Sequence, residues 1–383
     1  MAADIISKQG FSVEVFEEHE RVGYPVHCAG MVSVEGFRRL GIKPDPVFHQ
    51  NTILGGKIFS SDGGCITIRD KKPRAYIIDR GKLDAYLADV AESNGANINT
   101  GSRVDRIIFR DGVAEGLNLG DSMVESGIVI DAEGALGRVL GNSGVPTGQG
   151  GILNGFNVEL DVEEIESDMV EVWFSQDTAK DFFTWVIPIS EKRVRCGLAT
   201  SRKNGAMALK HFIDKRFNKD PSSSIHGGLV CAGGPVKKTA YPGLLLVGDV
   251  AGQVKPTTGG GVVIGGLCAQ LAGEIGVKAL GGDVGVLGEY EKEWRRRYGS
   301  ELQTMLILRR LLNGLSDDQM NRGVHVFIEE GLEQKLTRLV EQGDMDMQAS
   351  VIKRALMDPA ILAALVRSLG RLAGSEFFSA FGL

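Results

Sequence analysis

Leu244-Leu245-Leu246-Val247-Gly248-Asp249-Val250-Ala251-Gly252-Gln253-Val254-Lys255-Pro256-Thr257-Thr258-Gly259-Gly260-Gly261-Val262 is the stretch that decides the fold. Four apolar residues in a row read as a strand buried on both faces, as in a parallel sheet. Gly248-Asp249 ends the strand, and the triple glycine opens a long apolar helix that runs to about Leu280. Backbone amides at a helix N-terminus favour negative charge, and glycines let the edge of a ligand come close. Asp249, directly after the strand, is placed to hold ligand hydroxyl groups. The plainer alternative is a strand-helix turn whose glycines serve packing alone; the length of the pattern favours the ligand site.

Towards the N-terminus, a short helix over Ala2–Ser7 stops at Gln9-Gly10, and a strand follows over Phe11–Phe16. Glu17 comes straight after it. An acid at the carboxyl end of an early parallel strand can accept hydrogen bonds from an adenosine ribose, and a solvated acid is the alternative. Residues 53–68 read as two strands turned at Asp62-Gly63-Gly64. Tyr76-Ile77-Ile78 is a strand, then Asp79-Arg80 leads into a helix with Leu83, Tyr86, Leu87, Val90 and Ala91 on one side, closed by Asn94-Gly95. Residues 151–200 alternate with period two and predict antiparallel strands, with a helix at about 205–217. After Leu287 the spacing is helical throughout, and Asp358-Pro359 is an N-cap followed by a helix-compatible proline.

Composition narrows the class. A chain of 383 residues suggests two or three domains, and 43% hydrophobic with 24% charged residues excludes a disordered chain. A formal net charge of -6 argues against a nucleic-acid binder. No apolar run reaches the length of about eighteen residues needed to span a bilayer, and MAADIISKQG lacks a signal-peptide core. A cytoplasmic protein is expected. The 5 cysteines contain no CxxC pair and the 6 histidines no HExxH spacing, so no metal is expected. The 52 glycines against 11 prolines point to many tight turns or to backbone lying close to a ligand.

The Gly248–Val262 stretch resembles the second flavin motif of p-hydroxybenzoate hydroxylase-like flavoproteins, and within them is most similar to the geranylgeranyl reductase family. Val13–Ser33 resembles that family's second strand and flavin-side loop, Ala75–Leu87 its strand-Arg-helix element, and Thr184-Trp185-Val186-Ile187-Pro188 its YxWxFP motif. The likeness covers about residues 2–300. It implies an α/β fold: a glutathione-reductase-like FAD-binding domain with a Rossmann-type parallel sheet (1–50, 75–150, 235–285), an antiparallel-sheet substrate domain (51–74, 151–234) and a C-terminal helical region (286–383). It implies FAD held by Glu17, Cys28, Ala29, Gly30, Arg80, Gly248, Asp249, Pro256, Gly259, Gly260, Gly261 and Val262, and an isoprenoid lipid lying against Trp185 and Pro188. Cys28 is the candidate catalytic residue, a thiol able to donate a proton or shape the alkene site; a buried structural cysteine is the equal alternative.

There are three departures from the family pattern. The chain opens inside the helix that should follow a first strand and GxGxxG turn, so about twenty further residues are expected upstream. The family's Asp-Gly stands as Glu133-Gly134, and Gly137 replaces its small hydroxyl residue. Thr184 and Ile187 replace the motif's Tyr and Phe.

The implied reaction is hydrogenation of isolated C=C bonds in geranylgeranyl chains. A related monooxygenase or dehydrogenase, or a non-catalytic prenyl-lipid binder, are the rivals. No further GxGxxG marks a nicotinamide domain, so electrons are expected from NAD(P)H docked transiently, from ferredoxin or from another carrier. Arg295-Arg296-Arg297 reads as a solvated helix face or as a site for lipid phosphates. The tail from Asp358 to Leu383, with Ile361, Leu362, Leu365, Val366, Leu369 and Leu372 on one side, reads as a packed helix or a peripheral membrane contact.

Overall fold

The computed structural model describes residues 1–148, 150–221 and 225–368. They form two compact units: Met1–Val26, Arg80–Ile152 and Cys231–Leu302 make the first, and His27–Asp79, Leu153–Val230 and Gln303–Leu383 the second. The loop from His27 and the helices after Gln303 thus go with the antiparallel sheet, and residues 286–302 with the glycine-rich unit.

In the first unit, the strand Val13–Phe16 runs parallel to Ala96–Asn99, with Val13 opposite Ala96 and Phe16 opposite Asn99. The helix Arg80–Ser93 leads into the second of these strands and stops where expected, with Gly95 at φ 98°. A separate sheet pairs Val129–Asp131 parallel with Leu244–Leu246, which also pairs antiparallel with Ala240–Tyr241. The expected parallel sheet is therefore present as two pieces among the described residues. A three-stranded meander over 106–125 turns at Asp111-Gly112, both at positive φ, the conformation that suits a two-residue hairpin.

The glycine-led helix Val262–Leu280 is the core of this unit. It is apolar and long enough to cross a membrane, yet Ile264, Cys268, Leu271, Ala272 and Ile275 pack with Leu245, Val247, Leu287, Tyr290 and Trp294. Burying each large side chain of that cluster contributes roughly 1.5–3 kcal/mol. Gly273 lets the helix Ala2–Ser7 come close: a Cβ there would lie 3.0 Å from Ile5 Cβ and 3.1 Å from Ala2 O, so the neighbouring helix would have to give.

Beyond it, Tyr290, Trp294, Tyr298 and Leu302 recur every fourth residue, a spacing that drifts about 40° per step around a regular helix. A π-helical turn over Arg295–Gly299, between Leu287–Trp294 and Ser300–Asn313, takes up the drift. Tyr290, Trp294, Leu302 and Met305 are accordingly fully buried.

The second unit is built on a seven-stranded sheet in the order His226–Cys231, Ile152–Asp161, Arg193–Thr200, Thr184–Ser190, Met169–Trp173, Gly55–Phe59, Cys65–Arg69. The expected hairpin at Asp62-Gly63-Gly64 forms its edge. One junction departs from the antiparallel expectation: Met169–Trp173 lies parallel to Gly55–Phe59, because the two strands come from distant chain segments rather than from a hairpin. The helix Gly205–Phe217 covers one face, where Leu209 and Ile213 meet Val158, Val186, Val194, Cys196 and Leu198. A small antiparallel sheet of Met31–Ser33, Ala75–Ile78 and His49–Ile53 follows the loop His27–Gly30.

Two of the C-terminal helices begin on side-chain caps. Ser316 and Gln319 form a reciprocal capping box. Asp358 Oδ1 accepts from Ala360 N at 3.0 Å and Ile361 N at 3.2 Å, as the sequence predicts. Ile361 and Ala364 of the last helix are buried and Val366 is exposed; Leu369, Leu372 and the rest of the tail lie outside the described residues. Among the described residues no cluster of ligating side chains could hold a metal ion.

Candidate functional site

In the first unit, the buried strand Leu244–Leu246 delivers the chain into a tight 3-10 turn over Gly248–Ala251, with Gly248 at φ 76°. Gln253, fully buried, holds that turn from inside: its Oε1 accepts from Gly248 N at 2.9 Å, and its Nε2 donates to Tyr290 Oη at 2.8 Å. Tyr290 Oη in turn donates to Leu246 O at 2.9 Å, and burial pushes its hydroxyl pKa up. Both side chains escaped the sequence reading. The signal available was a lone amide among the apolar and glycine residues of the motif.

Asp249 sits half-buried against the start of the glycine-led helix. A Cβ added at Gly261 would lie 2.8 Å from Asp249 Oδ1, and one at Gly260 would lie 2.8 Å from Lys255 Cε. Gly259, at φ 68°, closes the Lys255–Gly260 turn by donating to Lys255 O at 2.8 Å, with Pro256 buried inside it. Val262 is the first residue of the helix. Burial pushes the Asp249 carboxyl pKa up, and the positive charge of Arg80 pulls it back. Arg80 opens its own helix and grips Asp84 with two bonds of 3.0 Å. Arg80, Asp249 and the glycines, far apart in sequence, are thus brought together. A Cβ at Gly248 would meet nothing within 4 Å, so the turn faces open space. A half-buried carboxylate, a neighbouring arginine and an open glycine turn suit the polar chain of a dinucleotide flavin.

Glu17 stands at the end of its strand as expected, and its Oε1 accepts from His19 N at 2.9 Å and lies 2.6 Å from His19 Nδ1. Glu133 caps the helix Arg138–Asn142 by accepting from Val139 N at 2.7 Å and Leu140 N at 2.9 Å, so its role here is local. Asp131, buried at the end of a parallel strand, accepts from Glu133 N on Oδ1 while Oδ2 has no partner. Burial, with the Glu133 charge adding to it, raises its pKa well above the carboxylate range.

In the second unit the sheet face opposite the helix Gly205–Phe217 carries Trp185. Its indole Nε1 donates to Asn157 Oδ1 at 3.1 Å, and Asn157 Nδ2 donates to His27 O at 2.9 Å. Arg195, also buried, donates from Nη1 to Ala29 O at 2.8 Å and from Nη2 to Glu159 Oε1 at 2.7 Å. The loop His27–Gly30 is therefore fastened to the sheet beside Trp185. Gly30 N donates to Cys28 Sγ at 3.3 Å, and Gly30 must be glycine: at φ 71°, its Cβ would fall 2.3 Å from Arg195 Nη1. Asn157 and Arg195 were missed because polar residues alternating along a strand read as a solvent face. Strand alternation puts Pro188 on the Val186 side, towards the covering helix, not on the Trp185 side. The arginine run of 295–297 is tied into ion pairs with Glu291 and Glu293.

This fold is that of FAD-dependent oxidoreductases. The Tryptophan halogenase family profile matches residues 49–270, more than half of the chain. A digeranylgeranylglycerophospholipid reductase of Methanothermobacter thermautotrophicus is 33% identical over 334 residues, covering 84% of this chain and 86% of the relative. Solved structures share the fold, and two of them illustrate it. A geranylgeranyl bacteriochlorophyll reductase-like protein from Thermoplasma acidophilum superposes with a TM-score of 0.78 at 22% identity, covering 96% of this chain and 95% of the other. A variant of the halogenase PltM in complex with FAD has a TM-score of 0.66 at 13% identity, covering 100% and 92%. The chain belongs to the geranylgeranyl reductase family.

Proposed function

We propose that this protein hydrogenates isolated C=C bonds of geranylgeranyl chains in isoprenoid membrane lipids, with FAD as its cofactor. The observation that carries the reading is the thiol loop fastened beside Trp185: Asn157 bonds both the indole and the carbonyl of His27, next to Cys28. When bound and reduced, FAD would supply the hydride for one alkene carbon. Cys28 Sγ holds the proton for the other carbon, and the thiolate is reprotonated from solvent. Arg80, Asp249 and Gly259–Gly261 would hold the cofactor, and Glu17 would take the ribose. Trp185 offers an apolar face to a chain that has only methyls, methylenes and double bonds to recognise. Electrons enter from NAD(P)H, ferredoxin or another carrier. The substrate is too insoluble to diffuse freely, so the protein works in the cytoplasm against the membrane surface, with the segment after Asp358 as its contact.

The test supplies the purified, FAD-loaded protein with dithionite and a digeranylgeranyl glycerophospholipid in detergent without oxygen, and follows the lipid by mass spectrometry. A gain of two hydrogens per double bond is expected. Lipid recovered from the reduced protein with no added hydrogen, or hydroxylated lipid in a parallel assay run with oxygen and an electron donor, refutes the proposal.

A further inference from the structure

Cys28 is bracketed. The carbonyl before it, His27 O, accepts from Asn157 Nδ2 at 2.9 Å, and the carbonyl after it, Ala29 O, accepts from Arg195 Nη1 at 2.8 Å. Both anchoring side chains belong to neighbouring strands of the seven-stranded sheet, with Asn157 opposite Gly197 and Glu159 opposite Arg195. Both are buried, at 9% and 5% exposure. Each is itself oriented by a further bond, Asn157 by the Trp185 indole and Arg195 by Glu159, whose Oε1 receives Nε at 3.1 Å and Nη2 at 2.7 Å. The same guanidinium reaches Gln50 Oε1 at 3.2 Å, within the strand His49–Ile53 of the small sheet that the loop enters. Space for this clamp is made by two glycines. A Cβ at Gly197 would fall 2.4 Å from Asn157 Oδ1 and 2.6 Å from Trp185 Cε2, and the clash of a Gly30 Cβ with Arg195 is closer still.

A loop fastened only by its own turn would move freely, since surface loops open at little cost. Two buried polar side chains spent on the carbonyls either side of one thiol are difficult to account for by stability alone, because an apolar face would fill the same space without desolvating an amide and a guanidinium. We propose that Asn157 and Arg195 are positioning residues for the Cys28 thiol, and that the single Asn157 amide ties the place of that thiol to the place of the Trp185 ring. A side chain displaced by substrate at Trp185 is thereby felt at Cys28. The inference rests on the proposed function only for what the thiol does, not for how it is held.

Two variants and one measurement on the parent protein test it. Asn157→Asp keeps an oxygen for the Trp185 indole but removes the donor to His27 O. Arg195→Lys keeps a charge for Glu159 but cannot serve Ala29 O at the same time. Iodoacetamide labelling of Cys28, read by peptide mass spectrometry against the half-buried Cys65, should accelerate about fivefold in Asn157→Asp, the factor one neutral hydrogen bond is worth, and about tenfold or more in Arg195→Lys, where the bond lost is donated by a charged group. With geranylgeranyl lipid as substrate, kcat should fall by a similar factor while KM stays within twofold. In the parent, the Gly30 amide should resist hydrogen exchange as well as the Gly197 amide of the sheet. Unchanged Cys28 labelling in the folded variants, or a Gly30 amide that exchanges freely in the parent, overturns the proposal. Labelling and exchange need no lipid, so a shifted thiol in a protein that reduces no lipid would refute the function and leave the positioning intact.

Discussion

Replacing Asp249 by Ala should release flavin from a protein that stays folded. The carboxylate is half-buried at the mouth of a turn, burial works against its charge, and Arg80 is the charge that offsets this. In the variant Arg80 keeps its two bonds to Asp84, so no buried cation is orphaned. The turn keeps its support too, because Gly248 N is held by Gln253 and not by Asp249. Removing a desolvated carboxylate from the empty protein therefore costs little stability. A ligand hydroxyl bonded to that carboxylate loses about 1.5–3 kcal/mol, the worth of a charge-assisted hydrogen bond. The dissociation constant for FAD should rise roughly ten- to a hundredfold. Titrating apoprotein with FAD and following quenching of flavin fluorescence measures it, with the apoprotein melting temperature as the control. An FAD affinity within twofold of the parent would refute the assignment, and so would an apoprotein that no longer folds.

Tyr290→Phe removes the hydroxyl shared by Leu246 O and Gln253. It should cost about 1–3 kcal/mol for the partners left unsatisfied, seen as a lower denaturant midpoint together with weaker FAD binding. Asp131→Asn should stabilise the protein, and more so as pH rises. Burial holds the Asp131 pKa high, so the carboxyl stabilises the fold fully only below its unfolded value of about 4, and that contribution drains away as pH climbs towards neutrality. Melting temperatures of parent and variant that differ equally at pH 5 and pH 8 would contradict this. Trp185→Ala should change which prenyl chain lengths are reduced. Val186→Ala, buried on the opposite face under the helix Gly205–Phe217, should cost about 2 kcal/mol of stability and leave chain-length preference alone, as competition between lipids of different length would show.

Where local chemistry determines structure, the sequence was enough to read it. The helix Ala2–Ser7, the hairpin at Asp62-Gly63-Gly64, the Arg80 helix closed at Gly95, the glycine-led helix and the Asp358 cap all lie where their residues say. Each rests on neighbours within a few positions: a cap, a turn, an apolar period. What local pattern does not carry is partner choice across the chain. Nothing in Met169–Trp173 says that its neighbour is Gly55–Phe59. The alternation of Thr184–Ser190 was visible, but not which face the covering helix takes, and so Val186 and Pro188 could not be separated from Trp185 in advance. The clamp on Cys28 was hidden for the same reason, since Asn157 and Arg195 look like any polar residues on a half-exposed strand until the loop is seen to lie on them.

The parallel seam between Met169–Trp173 and Gly55–Phe59 joins segments more than a hundred residues apart. Local hairpins can close in microseconds, but this seam must wait until a very long loop has been brought together, an entropic toll that nothing near it in the chain repays early. Until then Gly55–Phe59, paired with Cys65–Arg69 on one side, presents a bare edge on the other. The nascent chain is thus most open to mispairing, or to capture by a chaperone, in the interval between synthesis of the hairpin and synthesis of Trp173. Ribosome-bound fragments ending before and after that residue would differ in protease resistance at the hairpin, and the rate of sheet closure, rather than helix formation, should set the pace of refolding.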